Sequence, residues 1–155
     1  MISNRNNLSD KKISVLGAGK SGIAAARLAQ HIGADVLLSD ISSKIDNIKL
    51  ENVKIELGKH SDKILESDYI IKSPGIPNEI EIIKRAEKKK IKIISEIEFA
   101  SFFTKYPIIG ITGSNGKSTT VKLIHNVFKR AGYDSALGGN IGIPFSKNVL
   151  EEFSK

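Results

Sequence analysis

The stretch Ile13-Ser14-Val15-Leu16-Gly17-Ala18-Gly19-Lys20-Ser21-Gly22 decides how the rest of the chain is read. Ile13 to Leu16 is a short apolar run of strand character, and the Ala-rich run from Ser21 to Ile32 reads as a helix closed by Gly33. Between them, Gly17, Gly19 and Gly22 stand in G-x-G-x-x-G spacing. Glycines in that context allow a tight turn and let a phosphate approach the helix N-terminus, where free N–H groups and the helix dipole favour negative charge. A second strand, Asp35 to Ser39, ends at Asp40, placed to accept a hydrogen bond from a ribose hydroxyl or a base N–H. Alone, the motif says nucleotide and not which nucleotide, and glycines that only pack helix against sheet remain an alternative.

Outward from this stretch, short apolar runs alternate with helical patterns, as βαβ units around a parallel sheet require. Strands are expected near Val53 to Leu57, at Tyr69 to Lys72 and at Ile91 to Ile94, with helices near Ser61 to Glu66 and Glu79 to Lys89. Ser73-Pro74-Gly75-Ile76-Pro77 carries two prolines and must be irregular. Ser95-Glu96-Ile97-Glu98 reads as a capping box opening a helix through Phe103. This much makes one doubly wound α/β domain over residues 1–105.

After a hinge at Thr104 to Pro107 the pattern restarts with an expected strand, Ile108 to Thr112, a glycine-rich loop, a helix from Lys117 to Ala131 and a strand near Ser135 to Leu137. Gly138-Gly139-Asn140-Ile141-Gly142 opens another loop. Residues 106–155 hold roughly one βαβ unit, too little for an independent core, so a truncated second domain is expected.

Composition narrows the class. The chain has 155 residues, 40% of them hydrophobic, a net charge of +7 and no cysteine, which excludes disulfides and thiolate metal sites. No apolar run approaches the roughly 20 residues that span a bilayer, and the polar N-terminus has no signal-like core, so a soluble cytoplasmic protein without membrane partners is expected. The densest basic stretch, Lys84 to Lys92, has six Lys or Arg against one Glu. Its apolar residues Ile80, Ile83 and Ala86 recur at helical spacing, describing the wet face of an amphipathic helix. No aromatic side chains interleave with it, so no nucleic-acid partner is expected. His31, His60 and His125 lack metal-ligand spacing and read as structural or surface residues, and Glu96 and Glu98 read as helix-start residues.

The second loop is more specific. Gly113-Ser114-Asn115-Gly116-Lys117-Ser118-Thr119 follows an apolar run and precedes an amphipathic helix. Its amides suit a polyphosphate, Lys117 the β and γ phosphates, and the Ser118 hydroxyl a magnesium ion. It departs from strict G-x-x-x-x-G-K-[ST], because Ile111 stands five before Gly116.

This shortened loop closely resembles the ATP loop of the Mur ligases, the amide ligases of peptidoglycan-precursor synthesis. Gly17-Ala18-Gly19-Lys20-Ser21-Gly22-Ile23-Ala24, Ser73-Pro74-Gly75-Ile76 and Gly139-Asn140-Ile141-Gly142 resemble the branch that joins D-glutamate to UDP-N-acetylmuramoyl-L-alanine. The resemblance implies a Rossmann-like parallel-sheet domain that holds the UDP of the substrate, followed by the first part of a P-loop-type ATPase domain. It places Gly19, Lys20 and Ser21 at the diphosphate, Asp40 at the uracil, and Ser73, Pro74 and Gly75 in the same cleft. It places Asn140 near the muramoyl end, Gly113 to Thr119 at ATP with Lys117 in the catalytic role, and Ser118 at Mg2+. Ile41 and Ser42 depart from the Thr-Arg common after that aspartate. The implied protein is a monomer, and the implied chemistry is phosphorylation of a carboxylate followed by amine attack, of which this chain alone is expected to be incapable. The alternative is a non-catalytic NAD-type dinucleotide-binding module, which would have no use for Gly113 to Thr119.

Overall fold

The computed structural model of the protein describes residues 8–45, 50–139 and 141–154. Five strands form one parallel sheet: β1 (Lys12–Leu16), β2 (Asp35–Asp40), β3 (Val53–Leu57), β4 (Tyr69–Lys72) and β5 (Lys92–Ser95), in the order β3-β2-β1-β4-β5. β1 lies at the centre, with Ile13 level with Val36 on one side and Tyr69 on the other. The chain winds outward from β1 to β2 and β3, then crosses back to β4 and β5, so strand order reverses between β1 and β4.

Because side chains alternate across a strand, each central strand supplies both faces. Ile13, Val15, Val36, Leu38 and Ile71 bury one face against α1 (Lys20–His31), α3 (Glu96–Ser101) and α5 (Phe145–Glu152). Leu16 and Ile70 bury the other with Ile64 and Leu65 of a 3-10 turn at Asp62–Glu66 and with Ile82, Ile83 and Ala86 of α2 (Glu81–Lys88). Ala25, Ala26 and Ala29 are fully buried, and these small side chains let α1 sit close to the sheet. The basic stretch behaves as its periodicity predicts: α2 buries its apolar stripe while Arg85 holds Asp62 through two 2.7 Å hydrogen bonds.

All five expected strands of the first unit are present within a residue or two of their expected ends. The second unit differs. Residues 108–112 and 135–137 are not strands, and the only bridge there among the described residues joins Gly138 and Ile143. A parallel strand exists only beside a hydrogen-bonded neighbour. None lies alongside these segments among the described residues, and Ile108 and Ile109 remain exposed. The long helix α4 (Lys117–Arg130) forms as expected but buries none of its residues. The expected βαβ unit is thus reduced to its helix. Conversely, α5 was not legible as a helix, and it packs back against α1 and α3. Among the described residues no helix is long and apolar enough to cross a membrane.

Candidate functional site

Three segments converge at the carboxyl edge of the sheet. The loop after β1 begins at Gly17, whose φ of 96° favours glycine, and its N–H donates to the Ser39 carbonyl at 2.8 Å. A Cβ on Gly17 would fall 2.8 Å from Ser73 Oγ, so the loops after β1 and β4 are in direct contact. A Cβ on Gly22 would lie 1.7 Å from the Gly17 carbonyl oxygen, which makes Gly22 a requirement of packing. Gly19 is different: its φ of −73° suits any residue and a Cβ there would meet nothing within 4 Å. Open space is present above Gly19, and α1 begins there with no side-chain cap and no acidic residue in its first turn. Lys20 and Ser21 occupy the first two helical positions. That arrangement leaves amide donors and one lysine for an anion.

Asp40 stands across from this loop and already has partners. Its Oδ2 accepts the Ala18 N–H at 2.6 Å and its Oδ1 accepts the Ser42 N–H at 2.8 Å. Each oxygen keeps one further lone pair, so Asp40 fastens the glycine loop and retains capacity for further donors. Ser73, Pro74 and Gly75 form the opposite wall: the Ser73 N–H donates to the Leu16 carbonyl at 3.0 Å, and Lys72 Nζ closes the turn on the Ile76 carbonyl at 2.6 Å. A Cβ on Gly75 would meet nothing within 4 Å. Gly19, Lys20, Ser21, Asp40, Ser73, Pro74 and Gly75 are therefore brought to one crevice at the point where strand order reverses, the usual ligand position in open parallel sheets.

Behind Asp40 lies a polar cluster that periodicity and motif reading did not single out. The buried Ser39 Oγ contacts His60 Nδ1 at 2.8 Å and donates toward the Lys59 carbonyl at 3.1 Å, and Glu56 Oε2 accepts the Ser61 N–H at 2.8 Å. Burial holds His60 below its usual titration range, against the opposing pull of the Asp40 and Glu56 charges. Sequence reading leaves His60 as a structural or surface residue, and its contact with Ser39 at the carboxyl end of β2 shows that it supports that strand end. His125 similarly meets Ser135 Oγ at 2.9 Å, and His31 packs on the Phe153 ring. Among the described residues no group of three or more His, Cys, Asp or Glu is assembled for a metal.

Gly113 to Thr119 lies apart, exposed throughout. Gly116, with φ 74°, starts α4 without a side-chain cap, and no acidic residue stands in the first turn. Lys117 Nζ reaches back to the carbonyls of Gly113 and Ser114, and Ser118 is the second helical residue. Free amides, a lysine inside the turn and an adjacent hydroxyl form a donor set that fits a phosphate chain. Asn140 falls outside the described residues.

The sheet order and the glycine loop at the reversal point define a Rossmann-like α/β domain. Within that class, the chain belongs to the Mur ligases: the family model for the Mur ligase MurD-like N-terminal domain matches residues 11–95. The chain is 47% identical over 147 residues to a UDP-N-acetylmuramoylalanine–D-glutamate ligase of Christiangramia forsetii, a match covering 92% of this chain and 33% of that protein. The corresponding ligase of Bacteroides fragilis is 46% identical over 147 residues, with the same coverage. That of Streptococcus pyogenes is 43% identical over 151 residues, covering 93% of this chain and 33% of the relative. The chain therefore spans about a third of the length of the curated relatives it matches. Among solved structures, a murein peptide ligase from Psychrobacter arcticus shares the fold, with a TM-score of 0.55 at 19% identity over 93% of this chain and 32% of that one.

Proposed function

We propose that this chain supplies the UDP-substrate-binding part, residues 1–105, and the beginning of the ATP-binding part, residues 106–155, of a ligase that joins D-glutamate to UDP-N-acetylmuramoyl-L-alanine. The observation that carries the reading is the crevice between Gly17–Gly22 and Ser73–Ile76, occurring in one chain with a lysine-bearing phosphate loop and in relatives named for that reaction. The amides at the start of α1, with Lys20 and Ser21, bind the diphosphate, and the space above Gly19 admits it. Asp40 accepts the uracil N–H with one of its remaining lone pairs, while Ser73, Pro74 and Gly75 close the opposite side. Ile41 and Ser42 offer no cationic side chain to clamp the nucleotide at this edge.

Gly113 to Thr119 binds ATP in this reading. Its phosphates replace the Gly113 and Ser114 carbonyls as the partners of Lys117, which stabilises charge on the transferring phosphoryl group. Ser118 would hold Mg2+, which would supply neutralisation of the phosphate charge there. Asn140 orients the muramoyl end. The overall reaction passes phosphate to the L-alanyl carboxylate and then exchanges it for the amine of D-glutamate, in the cytoplasm where both nucleotides are found. The chain spans about a third of the length of these relatives, so turnover is assigned to the whole ligase polypeptide and substrate binding to the residues described above.

Calorimetric titration of the chain with UDP-N-acetylmuramoyl-L-alanine and separately with NAD tests the proposal. Binding of the UDP compound with none of NAD is expected. The reverse result would replace it with an NAD-type module.

A further inference from the structure

α5 begins in an unusual way. Its N-cap is Pro144, which has no side-chain acceptor, so its first N–H groups must find partners elsewhere. One is found fifty residues upstream in sequence: the Ser146 N–H donates to Glu96 Oε1 at 2.5 Å. Glu96 is only 4% exposed and Ser146 is fully buried. Ser95 Oγ caps α3 locally by accepting the Glu98 N–H at 3.1 Å, which leaves the Glu96 carboxylate free to face α5. Glu96 is therefore the first residue of α3 and simultaneously the acceptor at the start of α5, where both helix dipoles favour its negative charge.

This contact fixes more than a helix. Glu96 directly follows β5, so the start of α5 lies at the same carboxyl edge as Gly17–Gly22 and Ser73–Ile76. From α5, Asn148 Nδ2 donates to the Leu137 carbonyl at 2.9 Å, and the Gly139 N–H donates to the Ile143 carbonyl at 3.3 Å. A Cβ on Gly138 would fall 2.9 Å from Asn148 Nδ2, and one on Gly139 would fall 3.5 Å from Ile97 Cδ1. Gly138 is thus held against α5, and Gly139 against the start of α3.

We propose that Glu96 is a positioning residue whose buried contact with α5 holds Gly138, Gly139 and Ile143 at the carboxyl edge of the sheet beside β5, on the side where the end of the substrate remote from the nucleotide would lie. The substrate half of this inference rests on the function proposed above. The contact half does not.

The test uses the 155-residue chain with Glu96→Ala and Glu96→Gln. Hydrogen exchange reports the contact: in Glu96→Ala the Ser146 amide is expected to lose about tenfold or more of its protection, and Glu96→Gln, which keeps an oxygen acceptor, to lose less. Calorimetry reports the coupling. Affinity for UDP alone should stay within about twofold, while affinity for UDP-N-acetylmuramoyl-L-alanine falls about tenfold in Glu96→Ala and is partly restored in Glu96→Gln. Unchanged Ser146 protection overturns the contact. Equal weakening for both ligands, or for neither, overturns the positioning role. If the unsubstituted chain binds neither ligand, the substrate half falls with the proposed function, and exchange alone decides the contact.

Discussion

Replacing Gly22 with alanine tests the packing of the glycine loop, because the obstacle it meets is backbone. The new Cβ would lie 1.7 Å from the Gly17 carbonyl oxygen, 2.9 Å from its carbon and 3.3 Å from Ser73 Oγ. An ordinary carbon–oxygen contact of about 3.3 Å requires the loop and α1 to separate by about 1.6 Å, and no rotamer change provides it. Overpacking of this kind costs about 3 kcal/mol, and the better helix propensity of alanine returns about 1 kcal/mol. A net loss of about 2 kcal/mol, at a urea dependence of about 2 kcal/mol per molar, lowers the unfolding midpoint by about 1 M. Gly19→Ala is the control, since its Cβ enters open space at a φ of −73°. It should shift the midpoint by less than about 0.5 M, yet weaken UDP binding by occupying the space where the diphosphate must approach. Urea titrations followed by circular dichroism, with calorimetry on both variants, decide the matter. A Gly22→Ala midpoint matching the unsubstituted chain would refute the packing argument, and unimpaired UDP binding by Gly19→Ala would refute the assignment of that space.

Asp40→Asn replaces two acceptors with one, so either the Ala18 or the Ser42 N–H faces an amide NH2; a loss of about 1–3 kcal/mol and weaker UDP binding are expected by denaturation and calorimetry. His60 titrates below its usual 6.5 in the folded chain, so the unfolded chain takes up the proton first as pH falls. The stability due to neutral His60 is therefore complete above pH 6.5 and is lost as pH drops through the folded-state value. Urea midpoints across that window should fall with acidification and vary less in His60→Gln; parallel slopes would refute the assignment. In a complete ligase polypeptide carrying this segment, Lys117→Ala should reduce turnover by a factor of about 100 or more and leave UDP-substrate affinity within about twofold. Retained turnover in a coupled phosphate-release assay would remove Lys117 from its role.

The sheet was readable because its information is local: Ile13–Leu16, Asp35–Ser39 and Tyr69–Lys72 each combine strand content with a punctuating glycine, aspartate or proline. The crevice was readable for the same reason, since all its walls sit at the carboxyl ends of strands. What escaped was nonlocal. Ser95-Glu96-Ile97-Glu98 correctly announces a capped helix, but spacing cannot say that Glu96 turns away to a helix fifty residues on. The dual engagement of Asp40 was hidden likewise, because a fingerprint gives the residue and not its existing partners. Ile108–Thr112 misled because apolar content predicts a strand only where another strand lies beside it.

The hydrogen bonds from Thr104 Oγ1 to the Glu152 carboxylate, at 2.7 and 3.0 Å, join residues on either side of the phosphate-loop segment. Together with the packing of α5 on α1, they make that segment an excursion that leaves and returns to one place, topologically an insertion instead of a tail. Its ends are tied, so its reach is set by a closed ring of chain.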